Sequence, residues 1–186
     1  MNNQKKVLVV LADGFEEIEA VTSVDFLRRC GLKVIMVGVG GNIIYGSRDI
    51  PIQCDVSDKE LNVDDIDFDA IILPGGMPGT RNLYNSPFVK SVIESAYEKE
   101  KYIAAICAAP SILGRMGLLK GREAISFPSF TDQLTGAIIS DKKVVVSDKI
   151  ITAAGPGVAL AFSIELARKL THGDIVERTI DSLQCV

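Results

Sequence analysis

A single cysteine stands where a short apolar run meets a change of direction: Cys107, in Lys101-Tyr-Ile-Ala-Ala-Ile-Cys-Ala-Ala-Pro110.

 The run Tyr102 to Ile106 suits a central strand of a parallel sheet, and Pro110 suits the first turn of a helix, where its missing N–H costs nothing. The neighbours of Cys107 are small: Ala105, Ala108 and Ala109. A strand–nucleophile–helix elbow requires this, because bulky flanks clash as the chain doubles back. Two roles fit a thiol there. One is a nucleophile, activated below the ordinary thiol pKa of about 8.5 by the free N–H groups and positive dipole end of the helix. The other is a structural cysteine, since cysteine is among the most buried residue types.

A nucleophilic thiol needs a proton partner and donors for the oxyanion that forms on attack. The backbone N–H groups of Gly76 and Ala108 are the natural donors. Glu16, Glu17 and Glu19 lie just past the first predicted strand, and one of them aimed at Cys107 would exchange a proton with it. The competing reading makes all three surface acids that complement a helix dipole. Pro74-Gly-Gly-Met-Pro-Gly79 is either a loop that aims N–H groups at an anion or a plain tight turn. The four cysteines, Cys30, Cys54, Cys107 and Cys185, lack CxxC or zinc spacing and read as free thiols. Ser57 to Asp69 is an acidic, surface-facing connection without calcium-loop spacing, so no metal is expected. His172, the only histidine, reads as structural at a helix terminus.

The elements that must position these groups alternate between strand and helix. Val7–Ala12, Lys33–Gly38, Ala70–Leu73 and Tyr102–Ile106 read as buried strands. Phe15–Cys30, a helix from Pro87 to about Glu100, one from Gly155 to about Leu170 and a last amphipathic helix through Leu183 read as helices. Ile43–Tyr45 and Ile50–Cys54 form a small hairpin outside the sheet, Ala124–Phe127 a short strand, and Lys143–Val146 with Ile150–Thr152 a second hairpin. The pattern predicts one α/β domain over residues 1–186, a three-layer sandwich with a mainly parallel sheet. In such sheets the ligand site lies outside the carboxyl ends of the strands. Asp13–Glu19, Pro74–Gly79 and Ile106–Ala109 all fall there.

The bulk properties narrow the function. A length of 186 residues with 47% apolar content suits one sizeable core. A net charge of −4 without a run of Lys or Arg gives no footprint for specific nucleic-acid or membrane binding. No apolar stretch is long enough to span a bilayer, and Met1–Lys6 lacks a signal-peptide pattern, so a cytoplasmic location is the default expectation.

Taken together, Ala12-Asp-Gly-Phe-Glu-Glu-Ile-Glu19, Ser47-Arg-Asp49, Leu73-Pro-Gly-Gly76, Ala104-Ala-Ile-Cys-Ala-Ala-Pro110 and Gly155-Pro-Gly157 resemble the DJ-1/ThiJ/PfpI superfamily, in its DJ-1-like branch. The resemblance spans the chain in order. It implies a flavodoxin-like fold, a homodimer and a nucleophile elbow carrying Cys107, with a protonated Glu19 beside it and Gly76 and Ala108 as oxyanion donors. It places Glu16 and Arg48 at the pocket or the dimer interface, and Cys54 near that interface. It implies a cofactor-free glyoxalase or deglycase acting on methylglyoxal or glycated adducts, or alternatively a stress-sensing protein or chaperone that works by oxidation of Cys107. The branch's type member has a histidine before the proline that matches Pro128; here Phe127 stands there, as in some bacterial members. The protease branch has a histidine after its nucleophile, where this chain has Ala108, which counts against proteolysis.

Overall fold

The computed structural model describes residues 4–184. Its strands are β1 (Lys6–Leu11), β2 (Lys33–Gly38), β3 (Ile43–Tyr45), β4 (Pro51–Gln53), β5 (Val56–Ser57), β6 (Ala70–Leu73), β7 (Tyr102–Ile106), β8 (Glu123–Ala124), β9 (Ile138–Ile139), β10 (Val144–Ser147) and β11 (Ile150–Ala153). Its helices are α1 (Glu17–Arg29), α2 (Gly79–Asn85), α3 (Pro87–Glu98), α4 (Pro110–Arg115), α5 (Ala159–Leu170) and α6 (Gly173–Ser182). Seven strands form one sheet in the order β10-β11-β7-β6-β1-β2-β5. All its pairings are parallel except β10 with β11.

Period-two alternation along β1 divides the core. Val7, Val9 and Leu11 face one side with Phe26 and Leu27 of α1 and Phe162 and Leu166 of α5. Leu8 and Val10 face the other with Val89, Val92 and Ile93 of α3 and Ile112 of α4. A strand buried on both faces has no polar alternation, which is why the run Val7–Leu11 is continuously apolar. The expected α/β sandwich is therefore the observed one. Neighbouring β1, β6 and β7 run in the same direction, so their carboxyl ends bring Asp13–Glu19, Pro74–Gly79 and Ile106–Ala109 to one edge.

Several details differ from the sequence expectation. The β3–β4 hairpin lies outside the main sheet as expected, but β5 returns to the edge beside β2. Two residues are too few to carry a readable period. The helix α2 was not expected because only Leu83 among its side chains larger than Thr80 is buried, leaving no apolar stripe. The strand expected over 124–127 is confined to β8, which pairs with β9. Phe127 cannot extend it, because its N–H donates to the Cys107 carbonyl at 2.8 Å. The helix expected from Gly155 begins at Ala159, after a turn over Pro156–Val158. Cys30, Cys54 and Cys107 are free thiols; Cys185 lies outside the described residues.

Phe162 is fully buried in the layer that carries α1. Phe162→Ala is expected to cost about 3–5 kcal/mol, read as a lower urea midpoint. A loss under about 1 kcal/mol would show that this layer tolerates a cavity and does not hold α1 against the sheet.

Candidate active site

The elbow is formed at the backbone. Cys107 has φ +63, a left-handed conformation that a side-chain-bearing residue rarely adopts, and it is one of five such non-glycine residues among those described. Its N–H donates to the Ala153 carbonyl at 2.9 Å, which ties the turn to β11. The N–H groups of Ala108 and Gly76 both act on the Cys107 sulfur and favour its thiolate. Gly76 has φ +90, and this conformation turns its N–H toward the elbow.

Glu19, in the first turn of α1, is the carboxylate that meets Cys107. Its side chain is fully buried, and its Oε2 accepts a hydrogen bond from the Gly75 N–H at 2.7 Å. Its Oε1 has no conventional partner, although the Glu19 and Cys107 side chains are close enough to influence each other's protonation. Gly75 is required for this approach. A Cβ there would lie 2.7 Å from Cys107 Cβ and 2.9 Å from Glu19 Oε2.

Burial pushes the Glu19 carboxyl up to about 7, and the charge of Glu16 adds to the push against the lowering pull of Gly75 and Cys107. Burial, then the charge and hydrogen bond of an ionised Glu19, push the Cys107 thiol up to about 12 against the pull of the Ala108 and Gly76 N–H groups. This corrects the expectation of a thiol pKa lowered by a helix end. The helix α4 has only six residues, and no basic side chain contributes to the shift. The two acids form one coupled system. Burial acts on the thiol at any pH, but the part of the push that comes from Glu19 exists only while Glu19 is charged. With the proton on Glu19, that charge disappears and Oε1 gains an O–H to donate to sulfur.

The other carboxylates of the cluster do different work. Glu17 is 7% exposed and turns away from the elbow toward the β3–β4 hairpin. Its Oε1 accepts from the Arg48 N–H at 2.6 Å and its Oε2 from the Ser47 hydroxyl at 3.2 Å. Burial pushes this carboxyl up, but those bonds outweigh it and hold it below its ordinary value. Glu16 is half-buried, and its Oε2 accepts a long bond from the Ser47 hydroxyl at 3.4 Å. The Arg48 guanidinium is exposed; it donates to the Ser47 carbonyl at 3.1 Å and to the Ser47 hydroxyl at 3.4 Å, and so meets the two carboxylates only through Ser47. The role of Glu17 as the anchor of this turn has no signal in the local sequence, because the Ser47–Arg48 turn lies 30 residues further along the chain.

Phe127 is bound through its backbone to Cys107, and its ring lies against Gly155. His172 is the N-cap residue of α6 and lines a cavity with Gln4 and Cys30, at the opposite end of the sheet from the elbow. Among the described residues, no group of three or more His, Cys, Asp or Glu side chains is arranged to hold a metal ion, and no helix is long and apolar enough to cross a membrane.

The sequence profile of the DJ-1/PfpI family matches residues 5–169. The protein dj-1beta of Drosophila melanogaster is 37% identical over 182 residues, covering 96% of each chain. A protein of Schizosaccharomyces pombe named glutathione-independent glyoxalase DJ-1 is 32% identical, over 96% of this chain and 97% of its own. The crystal structure of Drosophila melanogaster DJ-1beta superposes with a TM-score of 0.92 at 35% identity, over 98% of this chain and 99% of that one.

A buried carboxyl with a raised pKa makes stability depend on pH with a defined sign. The fold holds the Glu19 proton up to about pH 7, whereas the unfolded chain releases it near 4.5. Its contribution is full below the lower value and is lost as the pH rises through the upper one. Glu19→Gln removes this dependence. Between pH 4.5 and 7.5 the stability of wild type is therefore expected to fall relative to the variant by about 3 kcal/mol, measured by urea unfolding. A difference that does not change with pH would show that Glu19 titrates normally.

Proposed function

The chain belongs to the DJ-1/PfpI family, and from that premise we propose that it is a cofactor-free glyoxalase or deglycase in which Cys107 is the nucleophile and Glu19 carries the proton. One observation supports this most: a fully buried carboxyl with its pKa raised to about 7, beside a thiol on a strained elbow. A general acid–base group works best when its pKa lies near the operating pH. The relative in Schizosaccharomyces pombe that carries the glyoxalase name makes methylglyoxal the first substrate to test.

In the proposed reaction the Cys107 sulfur attacks the aldehyde carbon of methylglyoxal, and the N–H groups of Gly76 and Ala108 hold the resulting oxyanion. That oxygen takes a proton to give a hemithioacetal. Glu19 removes the hydrogen of the former aldehyde carbon as a proton, giving an enediol, and returns a proton to the neighbouring carbon. The product is a thioester of lactate. Water then cleaves the S–C bond, releasing lactate and restoring the thiol. A glycated adduct enters at the same carbon, with its amine or thiol as the leaving group. Phe127 leaves the site with one acid–base group instead of two and gives it an apolar wall.

A second role follows from the exposure of the thiol. Cys107 is the one partly exposed cysteine of the three described, so peroxide reaches it first, and a protonated Glu19 would donate to an oxygen of the sulfinate. In that role the protein is a redox sensor or chaperone rather than a steady-state enzyme.

The outer face of α1 carries Ile18 and Val21, 57% and 48% exposed, and the hairpin beside it carries Ile43, Tyr45 and Ile50, each more than half exposed. Val21 and Pro51 line one apolar cavity that joins the two elements. We propose that a second copy of the chain covers this face in a homodimer, close to Glu16 and Arg48.

Wild type is expected to convert methylglyoxal to lactate slowly, and Cys107→Ser and Glu19→Gln each to lose at least about 100-fold in kcat. His172→Ala keeps the wild-type rate, and Phe127→His raises it. Full turnover in Glu19→Gln would remove the glutamate from the mechanism. No turnover in wild type, with ready oxidation of Cys107 by peroxide, would favour the sensor. The dimer has its own check: Val21→Glu is expected to halve the mass seen by light scattering, and a wild-type monomer would overturn it.

A further inference from the structure

A cavity of about 180 Å³ is lined by residues that adjoin the elbow along the chain or through hydrogen bonds. Three of its walls are attached to the reacting residues. Met77 follows Gly76, whose N–H acts on the Cys107 sulfur. The Ser111 hydroxyl donates to the Ala108 carbonyl at 2.7 Å. The Phe130 N–H donates to the carbonyl of Phe127, whose own N–H donates to Cys107.

The charge of this cavity is unlike that of the chain. Arg81 and Arg115 line it and no carboxylate does, although the net charge of the protein is −4. Arg115 is held in place: its guanidinium lies 4.9 Å from the centre of the Tyr84 ring and donates to Gln133 Oε1 at 2.8 Å. Arg81 is exposed and, among the described residues, forms no ion pair. Thr80 also lines the cavity; it is 4% exposed, and its Oγ1 has no hydrogen-bond partner. Two guanidiniums and an unpaired buried hydroxyl are suited to an oxyanion, since the planar fork of arginine matches carboxylate and phosphate.

We infer that this cavity is an anion subsite for the reaction at Cys107, holding a carboxylate or phosphate at the far end of the substrate while its aldehyde carbon meets the sulfur. The inference rests on Cys107 being the reacting group. It assigns the substrate class as aldehydes or glycated adducts with an acidic tail, for which methylglyoxal is a truncated stand-in. Binding energy from such a remote tail can be used at the reacting carbon.

Stoichiometric alkylation tests the subsite without requiring turnover. Cys107 in the intact protein is treated with N-iodoacetyl-β-alanine, with the corresponding aminoethyl phosphate reagent and with the neutral β-alaninamide. In each, an S–C bond forms, iodide leaves and the thiol proton passes to solvent. At least one acidic reagent is expected to react about fivefold faster than the amide in wild type, and the faster of the two identifies the oxyanion. Arg81→Gln, at an exposed position without an ion pair, is expected to bring that ratio to one or below. Without the subsite, the charge of Glu16 beside the elbow repels acidic reagents and the ratio is below one in wild type. A ratio of one or less in wild type, or a ratio unchanged in Arg81→Gln, would overturn the subsite and leave the proposed glyoxalase chemistry standing. A raised, Arg81-dependent ratio in a protein that turns over no aldehyde would support the subsite and reject the enzyme.

Discussion

The site depends on one buried carboxyl group. Glu19 has a single conventional hydrogen bond, from the Gly75 N–H, and lies beside a thiol with no cation to offset a charge on either group. Ionising it there is costly, because burial disfavours the charged form. The surrounding structure holds the group in place regardless. The Ser23 hydroxyl donates to the Glu19 carbonyl, and Ser163 of α5 donates to Ser23, so the start of α1 is bonded across to a neighbouring helix. The missing side chain at Gly75 gives the carboxyl its space, and the left-handed backbone at Cys107 turns the thiol to face it.

Two acids separated by one residue have opposite fates. Glu17 and Glu19 are both buried, yet the first is held below its ordinary pKa and the second is raised well above it. The difference lies in donors. Glu17 receives the Arg48 N–H and the Ser47 hydroxyl, which together favour its anion, and it fastens the hairpin to α1. Glu19 receives too few to offset its burial. Environment thus assigns one carboxylate to architecture and the other to proton transfer. The same helix serves both purposes and presents Ile18 and Val21 outward, so the site and the apolar face share one rigid support.

Much of this was legible in the sequence. The apolar runs of β1, β6 and β7 and the small residues around Cys107 fixed the sheet and the elbow, since buried parallel strands and a tight strand-to-helix turn each restrict composition. The pairing of Cys107 with Glu19 came from the family motif rather than from spacing, because three acids within four positions look alike until the helix phase is known. The short ladders β5, β8 and β9 were not legible, since two-residue strands have no period. Nor was the direction of the thiol shift. A local reading includes the helix end but not a carboxyl arriving from 88 positions away, which tertiary packing alone supplies.

The raised carboxyl of Glu19, which holds its proton to about pH 7 beside the Cys107 thiol, is the feature on which the site depends. This is tested most directly by carbon NMR of the Glu19 side-chain carboxyl, labelled with carbon-13 and followed from pH 4 to pH 9. The structure predicts a carboxyl that is still protonated at pH 6 and completes its titration only above about pH 7. A signal that titrates fully at the ordinary value of 4.5 would contradict it.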